Sequence, residues 1–105
     1  MDHSQSQFRI GKVTITPFSK LALDRAGQKG SDFLNLHKTG NWGEITDEEK
    51  HRNDQIVESQ NKMNRQILSA YTTSFNEMIW IVTRFDQNGS STTVLLPHEY
   101  DRKRI

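Results

Sequence analysis

Met78-Ile79-Trp80-Ile81-Val82 is the stretch that decides the fold, because all five of its side chains are apolar. Successive side chains of a β-strand point to opposite faces of the sheet, so apolar residues at both parities are typical of a strand that is buried on both faces. The stretch therefore predicts a central strand with cover on both sides. We expect Trp80 to be a core residue.

Two further runs with a period of two flank this strand, at residues 67–73 and 91–96. Both connecting segments carry residues that tolerate the positive φ of tight turns, namely Asn76 in the first and Asn88 and Gly89 in the second. Consecutive hairpins of this kind form an antiparallel meander, and Pro97 ends its last strand.

The first half of the chain predicts a short strand and then helices. The strand, with a bulge or a change of face at a glycine, is indicated by alternating apolar residues, namely Phe8, Ile10, Val13 and Ile15 around Gly11. Thr16 is a favoured N-cap and Pro17 a favoured first helical residue, so a first helix runs from there to Gly27.

Two more helices are expected before the meander. Ser31 can cap a second helix that Gly40 would end, and Thr46 with Glu49 has the spacing of a capping box for a third. Polar residues dilute the apolar face of this third helix, which places it on the surface. Its last turns are expected to give way to a loop at residues 61–64.

Together these elements predict an α+β fold, with an antiparallel meander of three to four strands and two to three helices packed on one face. The 105 residues suit a single domain, with residues 1–7 and 101–105 expected to be flexible tails. Only 32% of the residues are apolar, so the core is thin and a homodimer is a plausible support.

Charge and cysteine content narrow the function classes. Fourteen Lys and Arg against thirteen Asp and Glu give a net charge of +1, so nucleic-acid contact would have to be local, and the one basic cluster is Arg102, Lys103 and Arg104. The absence of cysteine excludes disulfides and thiolate metal sites. No apolar stretch could cross a bilayer, so we expect a cytoplasmic protein without membrane contact.

The most distinctive local pattern is Gly40-Asn41-Trp42-Gly43, which follows the second helix and its last-turn residue His37. Two glycines that bracket the largest side chain indicate an ordered corner. Packing is the favoured role for Trp42, with a ligand or partner contact as the alternative. His37 suits the end of a helix, where the dipole favours a cation, but it can also serve proton transfer.

Motifs for established chemistry are missing. The four histidines lack the spacing of metal ligands, and there is no phosphate-binding glycine loop or hydrolase elbow, so we expect no metal and no cofactor. A metal-independent ribonuclease or toxin needs only a proton-transfer group, a cation and hydroxyls. His37, Arg84 and Thr92 are the candidate residues for that activity, with Ser69, Tyr71 and Thr83 on the same sheet face as Thr92.

The order of motifs resembles a family of small uncharacterised bacterial proteins carried by plasmids and integrative elements. The resemblance spans roughly residues 11–100 and rests on the GxWG pattern at Gly40–Gly43, the Ser69-Ala70-Tyr71 triplet, and the segments 79–83 and 92–100. It implies a mobile-element setting without an activity. In the family an aspartate is usual at the position of Asn41, and an acid and an arginine are usual near Arg84 and Gln87. This chain departs from that pattern. If the acid or the arginine carried a reaction, this member would have lost it, which favours binding over catalysis.

The preferred hypothesis is a non-enzymatic accessory or modulator protein of a mobile element that acts by protein–protein interaction, with interference in a host defence system as the version to test. The candidate binding residues surround the glycine-bracketed corner: His37, Asn41, Trp42, Glu44 and Tyr71.

Overall fold

The computed structural model describes residues 6–100, and these form an α+β fold as predicted. In chain order the elements are β1 (Lys12–Ile15), α1 (Pro17–Ala26), α2 (Gly30–Lys38), α3 (Asp47–Glu58), β2 (Gln66–Thr72), β3 (Met78–Asp86) and β4 (Gly89–Leu95), followed by one turn of 3-10 helix at Pro97–Glu99.

The sheet has the strand order β1-β4-β3-β2. Strands β2, β3 and β4 form the predicted antiparallel meander, but β1 pairs in parallel with β4, so the sheet is mixed rather than purely antiparallel. Local periodicity predicted a strand around Gly11, but only the part after this glycine, Lys12–Ile15, is a strand. The direction of β1 could not be predicted, because its partner is formed by the far end of the chain.

The ends of α1 and α3 follow the capping residues of the sequence, whereas α2 begins at Gly30 with Lys29 as its N-cap and not at the predicted cap Ser31. Thr16 caps α1 by accepting from the Ser19 amide, and Gly27 ends the helix with φ +67°. Thr46 and Glu49 form the predicted capping box of α3. That helix ends at Glu58, before the predicted loop at residues 61–64.

The core lies between the helices and one face of the sheet, in two apolar clusters. The first joins the helices α1 and α2 to the sheet, with Ala22, Leu23, Phe33, Tyr71, Ile79, Ile81 and Val94. The second lies nearer to α3 and contains Phe8, Trp42, Ile56 and Ile67.

The opposite face of the sheet has no helix packed across its centre among the described residues, so β3 is not covered on both sides as the sequence predicted. Trp80 lies on this face and is only half-buried, with the ring of Tyr100 5.3 Å away, centroid to centroid. The helices direct their apolar residues to the other face. We call this surface the open sheet face, formed by Leu68, Met78, Trp80, Val82, Arg84, Leu95 and Tyr100.

The sequence also predicted flexible tails at residues 1–7 and 101–105 and no segment that crosses a membrane. Residues 1–5 and 101–105 of the predicted tails lie outside the described residues, whereas the Gln7 amide donates to the Lys38 carbonyl at 2.8 Å. In the described part of the chain, every helix is too short or too polar to span a bilayer.

Candidate functional site

The glycine-bracketed corner closes one edge of the sheet. Gly43 forms a parallel bridge with Ala70 of β2, flanked by hydrogen bonds from the Glu44 amide to the Ala70 carbonyl (2.7 Å) and from the Ala70 amide to the Trp42 carbonyl (3.2 Å). Gly43 has φ +76°, and a Cβ at this position would lie 2.0 Å from the Ala70 oxygen. This contact leaves room only for glycine.

Hydrogen bonds of two side chains, Trp42 and Tyr71, hold the same corner in place. Trp42 is 4% exposed, and its Nε1–H donates to the carboxylate of Asp54 at 2.9 Å. The hydroxyl of Tyr71 donates to the Asn41 carbonyl at 2.6 Å, and burial raises the pKa of Tyr71 to about 12. The Gly40–Gly43 and Ser69–Tyr71 motifs are therefore two halves of one structural unit.

His37 is fully buried next to this unit, and the rings of Phe8 and Trp42 meet it edge-on at 5.3 and 5.9 Å, centroid to centroid. Both ring nitrogens are engaged, Nδ1 with the hydroxyl of Ser69 at 2.6 Å and Nε2 with that of Thr83 at 2.8 Å. A polar layer on the sheet thus connects the helix α2 with β2 and β3, between the two apolar clusters.

The donor and the acceptor of each hydrogen bond in this layer can be assigned by starting at Thr92, the residue farthest from His37. The hydroxyl of Thr92 donates to the carbonyl of Ile10 at 2.6 Å, because a carbonyl can only accept. Thr92 must then accept from Thr83, 2.7 Å away, and Thr83 in turn must accept from Nε2–H of His37. Ser69 is left to donate to Nδ1.

This arrangement specifies a neutral imidazole with its proton on Nε2. Burial lowers the pKa of His37 to about 3, because the charged form has no water around it. A general acid or base needs a pKa near the working pH and access to substrate, and this ring has neither.

The structure separates the three candidate catalytic residues. His37 and Thr92 are buried and joined through Thr83 on the helix side of the sheet, whereas Arg84 is exposed on the open sheet face. Within the described residues they do not share one accessible site.

The predicted binding residues divide in a similar way. His37, Trp42 and Tyr71 are buried, so of the five only Asn41 and Glu44 present exposed side chains to a partner. The basic cluster at residues 102–104 lies outside the described residues.

Several residues of the corner were missed by sequence reasoning. Phe8 was assigned only to a strand, yet its ring covers His37, and Asp54 was not linked to Trp42. The amide of Asn53 donates to the Leu68 carbonyl at 2.8 Å and ties α3 to β2. An asparagine and an aspartate at successive positions of a polar helix carry no signal of these contacts, which join residues more than ten positions apart.

The opposite edge of the sheet, at β1, has no further strand paired with it among residues 6–100. Strand β1 pairs only with β4, and all four of its residues are exposed. Half of the large apolar side chains that are exposed in the described part of the chain lie in or just after it: Val13, Ile15, Phe18 and Leu21. We call these residues, with the backbone of β1, the β1 edge surface.

Within residues 6–100, no three histidine, aspartate or glutamate side chains converge into a metal-binding group. Comparison with family models, curated proteins and solved structures found nothing that matches this chain.

Proposed function

We propose that this protein is a non-enzymatic accessory factor that binds an extended segment of a partner protein along the β1 edge surface. The observation that carries the proposal is the edge at β1, where backbone groups that have no partner within residues 6–100 coincide with exposed apolar side chains. A partner strand added to an edge gains main-chain hydrogen bonds, and flanking apolar side chains provide selectivity.

The contrast between the two sheet edges supports this choice. Natural proteins block exposed edges to prevent unwanted pairing, and the corner at Gly43 blocks the β2 edge in that way. On β1 only Lys12 carries a charge, and no proline interrupts the strand. Phe18 is 57% exposed and Leu21 51% exposed, one helical turn apart on α1. Exposed apolar groups concentrated in this way are typical of interaction surfaces.

The non-enzymatic part of the proposal is supported by the state of His37. Its two nitrogens are fully used inside the fold, and Arg84 lies on the other side of the sheet. The mobile-element setting implied by the sequence resemblance makes a component of a host defence system, such as a restriction system, the first partner to test.

A matched pair of phenylalanines tests the surface. Phe18 is 57% exposed on α1 and Phe75 is 59% exposed on the β2–β3 turn, so replacing either with alanine removes the same exposed ring. We expect Phe18→Ala to weaken binding of the captured partner at least tenfold and Phe75→Ala to leave it within twofold. Isothermal titration with the purified partner measures both.

Hydrogen exchange on the same complex distinguishes strand addition from a side-chain contact. The amides of β1 that face away from β4 should exchange more slowly when the partner is bound. Unchanged exchange across β1, or equal losses in the two alanine variants, would contradict the proposed site. Cleavage of RNA by the purified protein in the presence of a chelator would contradict the non-enzymatic assignment, provided Arg84→Ala abolishes it.

A further inference from the structure

We propose that the open sheet face is the interface of a homodimer, in which a second copy of this chain packs on the side of the sheet opposite to the two apolar clusters. This face is opposite to the core, and it does not include the β1 edge surface. The two proposals therefore stand independently, and a dimer would display two copies of the β1 edge.

The apolar centre of the face is incompletely covered within the described residues. Leu68 and Val82 are paired in register at its middle, and Trp80 is the next residue of β3 on the same face. Val82 is only 4% exposed, so the apolar surface still open to water belongs to Leu68, Met78 and Trp80. Leu68 and Trp80 are half-buried and Met78 is 39% exposed, so a second layer would remove apolar surface from water.

Opposite charges lie at the two ends of this apolar centre. Arg84 is at one end, beside Ser91 and opposite Gln66 in register. Glu44 is at the other, where its amide binds the Ala70 carbonyl and its side chain borders a shallow pocket with Met78. Gln66 and Ala70 are four residues apart in β2, so the two charges are separated by about 13 Å along the strand direction.

Neither charge has a side-chain partner within the described part of the chain. Among residues 6–100, the ion pairs are Lys20–Asp24 and Arg25–Glu77, and no side-chain hydrogen bond involves Glu44 or Arg84. In contrast, the neighbouring carboxylates already accept hydrogen bonds, Glu49 from the amide and hydroxyl of Thr46, and Glu99 from the amide of Leu96 and the hydroxyl of Thr16.

This distribution is self-complementary for a two-fold partner. An axis that lies between two facing sheets, above the Leu68–Val82 pair, can bring Arg84 of one copy opposite Glu44 of the other and repeat the contact on the far side. A partner with one sign of charge would leave one of the two ends unpaired. The charge pattern thus fits a second copy better than a nucleic acid.

The size of the face sets the expected strength. The three strands that carry this face, β2, β3 and β4, have seven to nine residues each and cover roughly 14 by 23 Å, which is smaller than one side of a standard interface. We therefore expect a weak, reversible dimer with a dissociation constant on the order of 100 μM.

Charge reversal tests this geometry, because both residues are exposed and their replacement leaves the fold intact. In sedimentation velocity over a concentration series, Glu44→Arg and Arg84→Glu should each weaken dimerisation at least tenfold, and the double variant should recover most of that loss. Glu58→Arg, an exposed acid at the end of α3, is the matched control and should leave dimerisation within twofold.

The opposite results are equally clear. A wild-type chain that is monomeric to about 1 mM would overturn the proposal, since that concentration is roughly tenfold above the expected dissociation constant. A dimer that is insensitive to both reversals, or a double variant no better than the two single losses combined, would also overturn it. Titration with an oligo-dT strand under the same conditions tests the nucleic-acid alternative, and saturable binding that Trp80→Ala abolishes would replace the dimer as the occupant of this face.

Discussion

Replacing Gly43 with alanine is expected to destabilise the fold by about 3–5 kcal/mol, within the range of the most severe single substitutions. The new Cβ would lie 2.0 Å from the Ala70 carbonyl oxygen and 2.7 Å from the ring of Tyr71, and the backbone at φ +76° disfavours any side chain. The corner must then move away from β2 and break the hydrogen bonds that flank the bridge, leaving buried polar groups unpaired.

Gly27 provides the control for this substitution. It has φ +67°, close to that of Gly43, but no atom lies within 4 Å of the Cβ that alanine would add. Gly27→Ala should therefore lower the free energy of unfolding by only about 1 kcal/mol, which is the cost of a side chain at positive φ. Urea unfolding followed by tryptophan fluorescence measures both variants, and equal losses at the two positions would contradict a packing role for the corner.

Acidification from pH 7.5 to pH 5 is expected to lower the free energy of unfolding by roughly 2 kcal/mol through His37 alone. The folded chain holds the pKa of this ring at about 3, whereas an unfolded histidine titrates near 6.5. Between pH 6.5 and pH 3 the unfolded state binds a proton on His37 that the folded state does not bind. The stabilisation is complete above pH 6.5 and is lost as the pH falls toward 3.

The variant His37→Gln isolates this contribution, because glutamine keeps a donor and an acceptor and does not titrate. Its stability should be lower than wild type at pH 7.5, and the difference should shrink as the pH falls to 5. His51→Gln removes an exposed histidine on α3 and is the matched control variant. A constant difference between His37→Gln and wild type across this range would contradict the buried, neutral ring.

Local chemistry explains why much of the fold could be predicted from the sequence. The caps at Thr16 and Thr46 act within a single helical turn, and Asn76 adopts φ +60° in the turn where its tolerance of positive φ was noted. Such features depend on residues a few positions apart, so the sequence displays them directly.

Features that depend on distant partners could not be predicted in the same way. The apolar run at residues 78–82 has the composition of a strand buried on both faces, but whether a second layer covers Trp80 depends on where the helices pack. The position of His37 at the end of α2 favoured a cation, yet its burial under Phe8 reversed the direction of the pKa shift. Neither the parallel pairing of β1 nor the hydrogen bonds of Ser69 and Thr83 to His37 have a local signature.

The central claim is that His37 is a neutral structural group rather than a catalyst, and nitrogen NMR of its ring tests this most directly. We predict a single tautomer, protonated at Nε2 and bare at Nδ1, that persists from pH 7.5 down to about pH 4 because the ring has no access to water. A ring that titrates near pH 6.5, with both nitrogens protonated below that pH, would contradict this claim. His37 would then again be a candidate for proton transfer.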